Sequence, residues 1–445
     1  MYLEELRQLD ANPAAVGIVG AGRMGRGVVD QIATMRGLRV RAVADLDAER
    51  GIAAFTANGW GREQVCLADQ VGAAQDALAA GRPVVTEDPL LLADLDLAAL
   101  VEATGVPAVG AEVADRAIAR HRHVIMLNVE ADCVVGPILA ERARRQGVVY
   151  TLAAGDQPGV ILELAEWART LGFRLVCAGR GTVRFPDDNH ATPETYLEMA
   201  EDNTLNPRML CSFRDGTKAQ TESAAVSNVL RMPPTRLGMI EPRVGWPELG
   251  HTFSLQSEGG ILDEEGVVDM VNAVTPEGDY VHQDKVFPGV FLVVTSDHAG
   301  VQSAMRWHLD PGFGGVGRQE GPNWGLFRPY HLPCVETPMS VARAIVQGRP
   351  TGDLRGGPVA EVVTAAKRDL RPGDELDGAG GYAVYGLSER HQVARERNLF
   401  PLGFAYSGRV TRAVPRDQLL TWDDVEVDTS GFLGQLVREQ DRLFG

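Results

Sequence analysis

Three glycines stand at the spacing Gly20-x-Gly22-x-x-Gly25, directly after a short apolar run, Val16 to Val19. Each has a mechanical use in gripping a diphosphate. Gly20 permits a tight turn off a strand, Gly22 lets a pyrophosphate approach the backbone, and Gly25 lets the following helix pack on the sheet. A helix opening near Met24 would aim its N-terminal amides at the phosphates. Asp45 lies twenty residues past Gly25, at the end of a second apolar stretch, Leu38 to Ala44. A carboxylate there accepts hydrogen bonds from ribose hydroxyls and repels a 2′-phosphate, which favours NAD. Arg41 and Arg50 are close enough in sequence to serve NADP, so both coenzymes stay open.

Redox chemistry on such a coenzyme needs a group to handle a hydroxyl proton. It also needs cations or a metal to steady a developing alkoxide or enolate. The candidate catalytic residues are Glu222, His331, Asp156, Lys285 and Asn228. Glu222 and Asn228 fall on one expected helix, about 120° apart around its axis at ~100° per residue. They would border one pocket without forming a pair. Arg180, Lys218 and Arg328 are candidate anchors for a phosphate or carboxylate. Thr104, Gly105 and Asn128 each follow a strand and join Gly20, Gly22, Arg23, Met24, Gly25 and Asp45 in the candidate cofactor site. Asp187, Asp188, Asn189 and His190 offer hard oxygens and an imidazole to a divalent cation, or make a solvated loop. His121-Arg122-His123 is expected to cap a helix rather than bind metal.

These groups need a scaffold to position them. The chain has 445 residues, enough for two or three domains, and 44% of them are hydrophobic. The net charge of −17 argues against a nucleic-acid or anionic-membrane partner. A local cationic cluster could still hold an anionic small-molecule substrate. Five scattered cysteines, Cys66, Cys133, Cys177, Cys211 and Cys334, form no Cys-x-x-Cys pair and read as reduced cytoplasmic thiols. The acidic start is no signal peptide, and no run approaches the ~20 apolar residues of a membrane span.

From Ala15 apolar strands alternate with helices, which predicts an α/β fold with a Rossmann-type doubly wound parallel sheet over residues 1–155. One expected helix there runs from Pro137 to Gln146, with Pro137 in its first turn. Residues 156–352 mix strands and helices and read as an α+β catalytic and oligomerisation domain. Met209 to Phe213 is expected as a strand there, and Lys218 to Leu230 as a helix. The glycine-dense stretch Asp310 to Gly325 reads as a mobile loop whose Trp324 either closes over substrate or lies on the surface. Residues 353–445 read as a compact β domain.

Three resemblances follow from particular stretches. The first 155 residues resemble the nucleotide domain of the homoserine dehydrogenase-like oxidoreductases. The terminal unit resembles a SAF (antifreeze-like, β-clip) domain through Lys367-Arg368-Asp369-Leu370-Arg371-Pro372-Gly373 and its echo ending Trp422-Asp423-Asp424-Val425. The combination resembles the 1-deoxy-D-xylulose 5-phosphate reductoisomerase-like family nearly end to end. That match is carried by Gly20 to Gly25, Asn128-Val129-Glu130-Ala131-Asp132, Gly155-Asp156-Gln157-Pro158, Ala191-Thr192-Pro193, Pro288-Gly289-Val290-Phe291 and Arg328-Pro329-Tyr330-His331-Leu332. The resemblance implies NADP-dependent reductoisomerisation of a 2-keto sugar phosphate, assisted by a divalent cation, in a homodimer or homotetramer. Two departures stand out. Asn128-Val129-Glu130 lacks the Lys of homoserine dehydrogenases. Asp45 stands where NADP-preferring relatives tend to have Ser or Arg, which points to NAD and to oxidation of a sugar acid or polyol. The expected function is an NAD(P)-dependent oxidoreductase on a small polyhydroxylated substrate. The alternatives are a dinucleotide-binding regulatory or scaffold protein without turnover, or a redox-neutral isomerase with tightly held NAD.

Overall fold

The computed structural model describes residues 2–202, 206–310, 319 and 322–445. The chain divides into two compact units: Met1–Gly159 with Leu332–Gly357 and Ser430–Gly445, and Val160–His331 with Pro358–Thr429.

Unit 1 is built on seven strands: β1 (Ala14–Val19), β2 (Leu38–Ala44), β3 (Cys66–Leu67), β4 (Val84–Thr86), β5 (Ala99–Glu102), β6 (His123–Met126) and β7 (Tyr150–Leu152). Their order is β3-β4-β2-β1-β5-β6-β7, and every neighbouring pair is parallel. Parallel strands are covered on both faces, so they read as unbroken apolar runs. Val16, Ile18 and Val19 are accordingly buried, with Val28, Val29 and Ile32 of the Arg23–Ala33 helix packed over them. The strand order reverses between β1 and β5, the place where such sheets open a crevice for ligands.

Residues late in the chain complete this unit, and the expected boundary at residue 155 misses them. Val341, Ala342 and Ala344 of the Thr337–Gln347 helix belong to the same core cluster as Val16 and Ile18. The terminal Phe432–Phe444 helix buries Leu433 and Leu436. It also mends a defect. Pro137 sits inside the Val129–Gln146 helix rather than in the first turn of a shorter one. Proline removes one backbone donor and disturbs the turn before it. The buried Gln440 side chain bridges the opening: its Oε1 accepts from Ile138 N at 3.2 Å and its Nε2 donates to Val134 O at 3.0 Å.

Unit 2 carries a four-stranded sheet of β8 (Arg174–Thr182), β9 (Val267–Asn272), β10 (Val290–Thr295) and β11 (Trp324–Arg328), in the order β11-β10-β8-β9. β8 and β9 are parallel and the other pairs antiparallel. Two antiparallel pairs follow in sequence, β12 (Ala360–Ala366) with β13 (Val384–Arg390), and β14 (Arg409–Val410) with β15 (Val425–Glu426). The Thr217–Leu230 helix is buried almost throughout despite its polar composition. Its side chains bond strand backbone instead of water. Thr217 Oγ1 accepts from Gly386 N at 2.9 Å, and Gln220 Oε1 accepts from Ser388 N at 2.8 Å.

Two local expectations are overturned here. Met209 to Phe213 lies in a helix, Pro207–Arg214, not a strand. A five-residue apolar run has no decisive period. The Asn206 cap, whose Oδ1 accepts from Arg208 N at 2.9 Å, and Pro207 in the first turn decide for the helix. The glycine-dense stretch falls largely on residues 311–318 and 320–321, outside the described residues. Trp324 itself is a fully buried strand residue opposite Val294, so it is part of the core.

Candidate functional site

At the end of β1 the backbone turns through Gly20 at φ +92°, which side chains avoid. A Cβ on Gly25 would strike the Gly20 carbonyl, whereas nothing lies within 4 Å of a Cβ on Gly22. Gly22 caps the Arg23–Ala33 helix with no side chain over its first amides. This is an open anion cradle, with Arg23 and Met24 exposed on its first turn. Asp45 is tied to the same turn: its Oδ2 accepts from Ala21 N at 2.7 Å and its Oδ1 from Asp47 N at 3.0 Å. The residues present therefore fit a dinucleotide. Arg41 is committed elsewhere, donating to Leu78 O at 2.7 Å, and burial lowers its pKa. Arg50 pairs at the surface with Asp47 at 3.5 Å.

Across the switch point, Gly105 has φ +68° and Asn128 caps the Val129–Gln146 helix, its Oδ1 accepting from Ala131 N at 3.0 Å. Asn128 Nδ2 donates to Val106 O at 3.1 Å and to Thr104 Oγ1 at 3.3 Å. Sequence reasoning singled out Thr104, Gly105 and Asn128 but passed over the group beneath them. Glu102, the last residue of β5, is fully buried, and its Oε1 accepts from Thr104 N at 3.0 Å. Burial pushes its carboxyl up to about 7, against the pull of Thr104 and Asn128. Asp132, on the adjoining helix, is likewise buried and pushed up to about 7, while Tyr150 donates to its Oδ1 at 2.9 Å. The available signal was a carboxylate at the close of an apolar strand, in Leu100-Val101-Glu102.

In unit 2 the candidate groups gather at one end of the sheet. Val290 is in register with Arg180 on one side and Arg328 on the other, so those three side chains share a face. Arg180, buried at the end of β8, pairs with Glu222 of the Thr217–Leu230 helix. Lys218, one turn earlier on that helix, reaches Glu222 at 3.8 Å. At the last residue of β8, Thr182 Oγ1 donates to Glu241 at 2.6 Å, and just past it Arg184 pairs with Glu241 at 3.0 Å. The segment joining β9 to β10 returns to the same end, since Gly181 N donates to Gly289 O at 3.0 Å. That segment brings Lys285, whose Nζ donates to the Tyr280 hydroxyl at 2.5 Å and sits 4.5 Å from its ring centroid. His331 Nδ1 donates to Pro288 O at 2.8 Å, which orients its ring.

Glu222, Lys285, His331, Arg180, Lys218 and Arg328 thus belong to one end of one sheet. The other two catalytic candidates do not join them in the same way. Asn228 is committed to the fold: its Oδ1 accepts from Val359 N at 2.7 Å and Ala360 N at 2.9 Å, where β12 begins. Asp156 lies in unit 1, one residue past Gly155 at φ +80°.

The acidic loop is also committed. Asp188 accepts from Tyr196 and from Phe185 N at 2.8 Å, and His190 Nε2 lies 2.7 Å from Asp417. Among the described residues no group of three or more His, Cys, Asp or Glu is placed to hold a metal ion. His121 and His123 serve chain geometry, with His123 Nδ1 accepting from Val149 N at 3.0 Å. None of the helices among the described residues is long and apolar enough to cross a membrane.

Residues 155–337 match the family model described as the catalytic domain of oxidoreductase DRL. No curated protein matches the chain. Many solved structures are similar, three of them as follows. A protein described as a probable dehydrogenase from Thermotoga maritima has 11% identity and a TM-score of 0.38, over 76% of this chain and 90% of its own. Scyllo-inositol dehydrogenase from Lactobacillus casei, with bound NAD(H) and scyllo-inositol, has 13% identity and a TM-score of 0.35, over 64% and 74%. Myo-inositol dehydrogenase from Lactobacillus casei, in complex with NAD(H) and myo-inositol, has 16% identity and a TM-score of 0.35, over 63% and 71%. Likenesses at that level fix neither substrate nor chemistry. The matched catalytic domain identifies an oxidoreductase enzyme, and the seven-stranded parallel sheet is the fold on which such enzymes hold a nicotinamide dinucleotide.

Proposed function

We propose that the protein transfers hydride between NAD and a carbinol or carbonyl carbon of a small, polyhydroxylated, anionic substrate. The observation that supports this reading is Asp45, whose carboxylate is bonded to the Ala21 amide of the glycine turn at 2.7 Å. It stands where the adenosine ribose would sit, and it disfavours a 2′-phosphate. Arg41, the nearby cation that would answer one, is turned to a backbone carbonyl. The nicotinamide, when bound, supplies the hydride acceptor or donor.

The roles in unit 2 follow from chemistry. Arg180 and Lys218 are the anchors for the substrate's anionic group. Glu222, oriented by both, takes the hydroxyl proton. Lys285, through the Tyr280 hydroxyl it bonds, steadies the oxygen that gains charge. His331 and Asp156 stand second to these. The finer reading, reductoisomerisation of a 2-keto sugar phosphate, rests on the resemblance described above. The residues of β12 to β15 are read as the SAF-like module, and a homo-oligomer is part of the same proposal.

The test is absorbance at 340 nm with NAD⁺, NADH, NADP⁺ and NADPH, against sugar acids, polyols and sugar phosphates. 1-Deoxy-D-xylulose 5-phosphate is included, with and without magnesium or manganese. Turnover with NAD(H) that Glu222→Gln abolishes, while nucleotide binding persists, supports the proposal. No absorbance change with any coenzyme across the panel, or turnover indifferent to Glu222→Gln, removes it.

A further inference from the structure

A dinucleotide gripped at the glycine turn would extend its nicotinamide half across the carboxyl ends of the strands from β5 onward, past the point where the strand order reverses. Three residues there, Thr104, Gly105 and Asn128, form a rim, and one carboxyl stands under it. Glu102 Oε1 holds the Thr104 amide at 3.0 Å, and Asn128 ties the next turn to the same place through Val106 O at 3.1 Å. Glu102 Oε2 is fully buried and has no well-formed hydrogen bond, with the Asn128 amide close enough to pull on the carboxyl but bonded to Val106 O and Thr104 Oγ1. A Cβ on Gly110 would lie 2.8 Å from Glu102 Oε2 and 2.5 Å from Asn128 Nδ2, so only glycine leaves room for the pair.

Among the described residues no cation is paired with Glu102. Its neighbours in register, Val19 of β1 and Met126 of β6, are apolar. The Pro107–Ala119 helix meets it with Gly110. The Val129–Gln146 helix brings Glu130 and Asp132, and β7 brings Tyr150, whose hydroxyl is bonded to Asp132. The titratable groups that these elements bring near it are acids and a phenol. A buried carboxyl among acids and apolar side chains exchanges a proton instead of finding a counter-ion.

We propose that Glu102 is a positioning residue whose proton is linked to the oxidation state of the bound coenzyme, holding the nicotinamide rim while neutral and ionising to favour the cationic, oxidised ring. The inference rests on the dinucleotide reading above and deepens it. The bookkeeping of charge is simple. The oxidised ring carries one positive charge and the reduced ring none. An anionic Glu102 attracts the first and is indifferent to the second. By linkage, binding of the oxidised form expels the Glu102 proton, and binding of the reduced form does not. Burial, which already pushes this carboxyl to about 7, puts the exchange at neutral pH.

The experiment is titration calorimetry with NAD⁺ and NADH on the full chain at pH 6 and pH 8, in two buffers of different ionisation enthalpy. The preference for NAD⁺ over NADH should rise about tenfold between those pH values, the size of a charge pair at intermediate dielectric. NAD⁺ binding at pH 6 should release a proton. Glu102→Gln should keep both affinities near the pH 6 values of the unmodified protein while losing the pH dependence and the proton release. Asp132→Asn should retain them. A preference that does not change with pH overturns the inference, as does pH dependence that survives Glu102→Gln or vanishes only in Asp132→Asn. Circular dichroism of each variant shows whether it folds, and Glu102→Asp, which keeps the acid but shortens its reach, should retain proton release if the variant with Gln does not fold. Failure of NAD⁺ and NADH to bind at either pH defeats the dinucleotide reading instead.

Discussion

Glu102 in unit 1 and Asp215 in unit 2 are both fully buried carboxyls, but their surroundings are opposite. Asp215 pairs at 2.7 Å with Lys367, whose Nζ also donates to Ala191 O and Gly381 O at 2.7 and 2.8 Å. Glu222 in the same unit has Arg180 and Lys218 beside it. Glu102 and Asp132 have no cation, and each keeps one oxygen without a hydrogen bond. Burial by itself therefore does not decide what a buried acid does. A paired acid is held by its cation and ties segments together, although burial still raises the Asp215 carboxyl against the pull of Lys367. An unpaired one is left able to exchange a proton near neutral pH.

The largest effect expected from that contrast is at the paired site. Lys367→Met leaves Asp215 buried without its counter-ion, so that it must either stay charged or take up a proton, which should cost ~3–5 kcal/mol in urea denaturation at pH 7. A loss below ~1 kcal/mol would break the comparison from the paired side. The unpaired acids should behave the other way. Their carboxyls are raised in the folded state, from 4.5 for Glu102 and 3.8 for Asp132 to about 7. Below the unfolded values both states hold the proton and nothing is lost. As pH climbs toward 7 the unfolded chain ionises while the folded chain does not, so stability falls across that window and levels off above it. Glu102→Gln and Asp132→Asn should each stabilise the protein by up to ~3 kcal/mol at pH 8, and by little at pH 4, in urea melts at the two pH values.

A neutral polar contact sharpens the same point at smaller scale. Gln440→Leu leaves Ile138 N and Val134 O without their bridge, at ~2 kcal/mol with no pH dependence. The smallest effect concerns ligand alone. Asp45→Asn should weaken NAD binding about tenfold and narrow the preference over NADP, with the melting temperature almost unchanged. Equal affinities for NAD and NADP in the unmodified protein would contradict the coenzyme proposed here.

Much of unit 1 could be read along the chain because its information is local. The glycine spacing dictates a turn, and Asp45 ends the strand beside it. Parallel strands covered on both faces announce themselves as apolar runs, and β1 and β5 were visible in this way, while β2 was visible despite Arg39 and Arg41 in its first half. Pro137 shows where local reading fails. A first-turn proline and an interior one look alike in sequence, and the repair of the interior one comes from Gln440, some three hundred residues on. Asn228 and Glu222 also looked equivalent as polar residues on one helix. Only the packing of β12 showed that Asn228 caps a strand while Glu222 meets Arg180 and Lys218.

Composition and spacing alone established an α/β chain with a nucleotide-type glycine turn and an acidic ribose position, since those depend on conformations that neighbouring residues impose on one another. The tertiary structure decided which polar residues carry charge, which hold the backbone and which lack a partner. Those outcomes depend on dielectric and on counter-ions delivered from distant segments, and neither is written in the order of neighbouring residues.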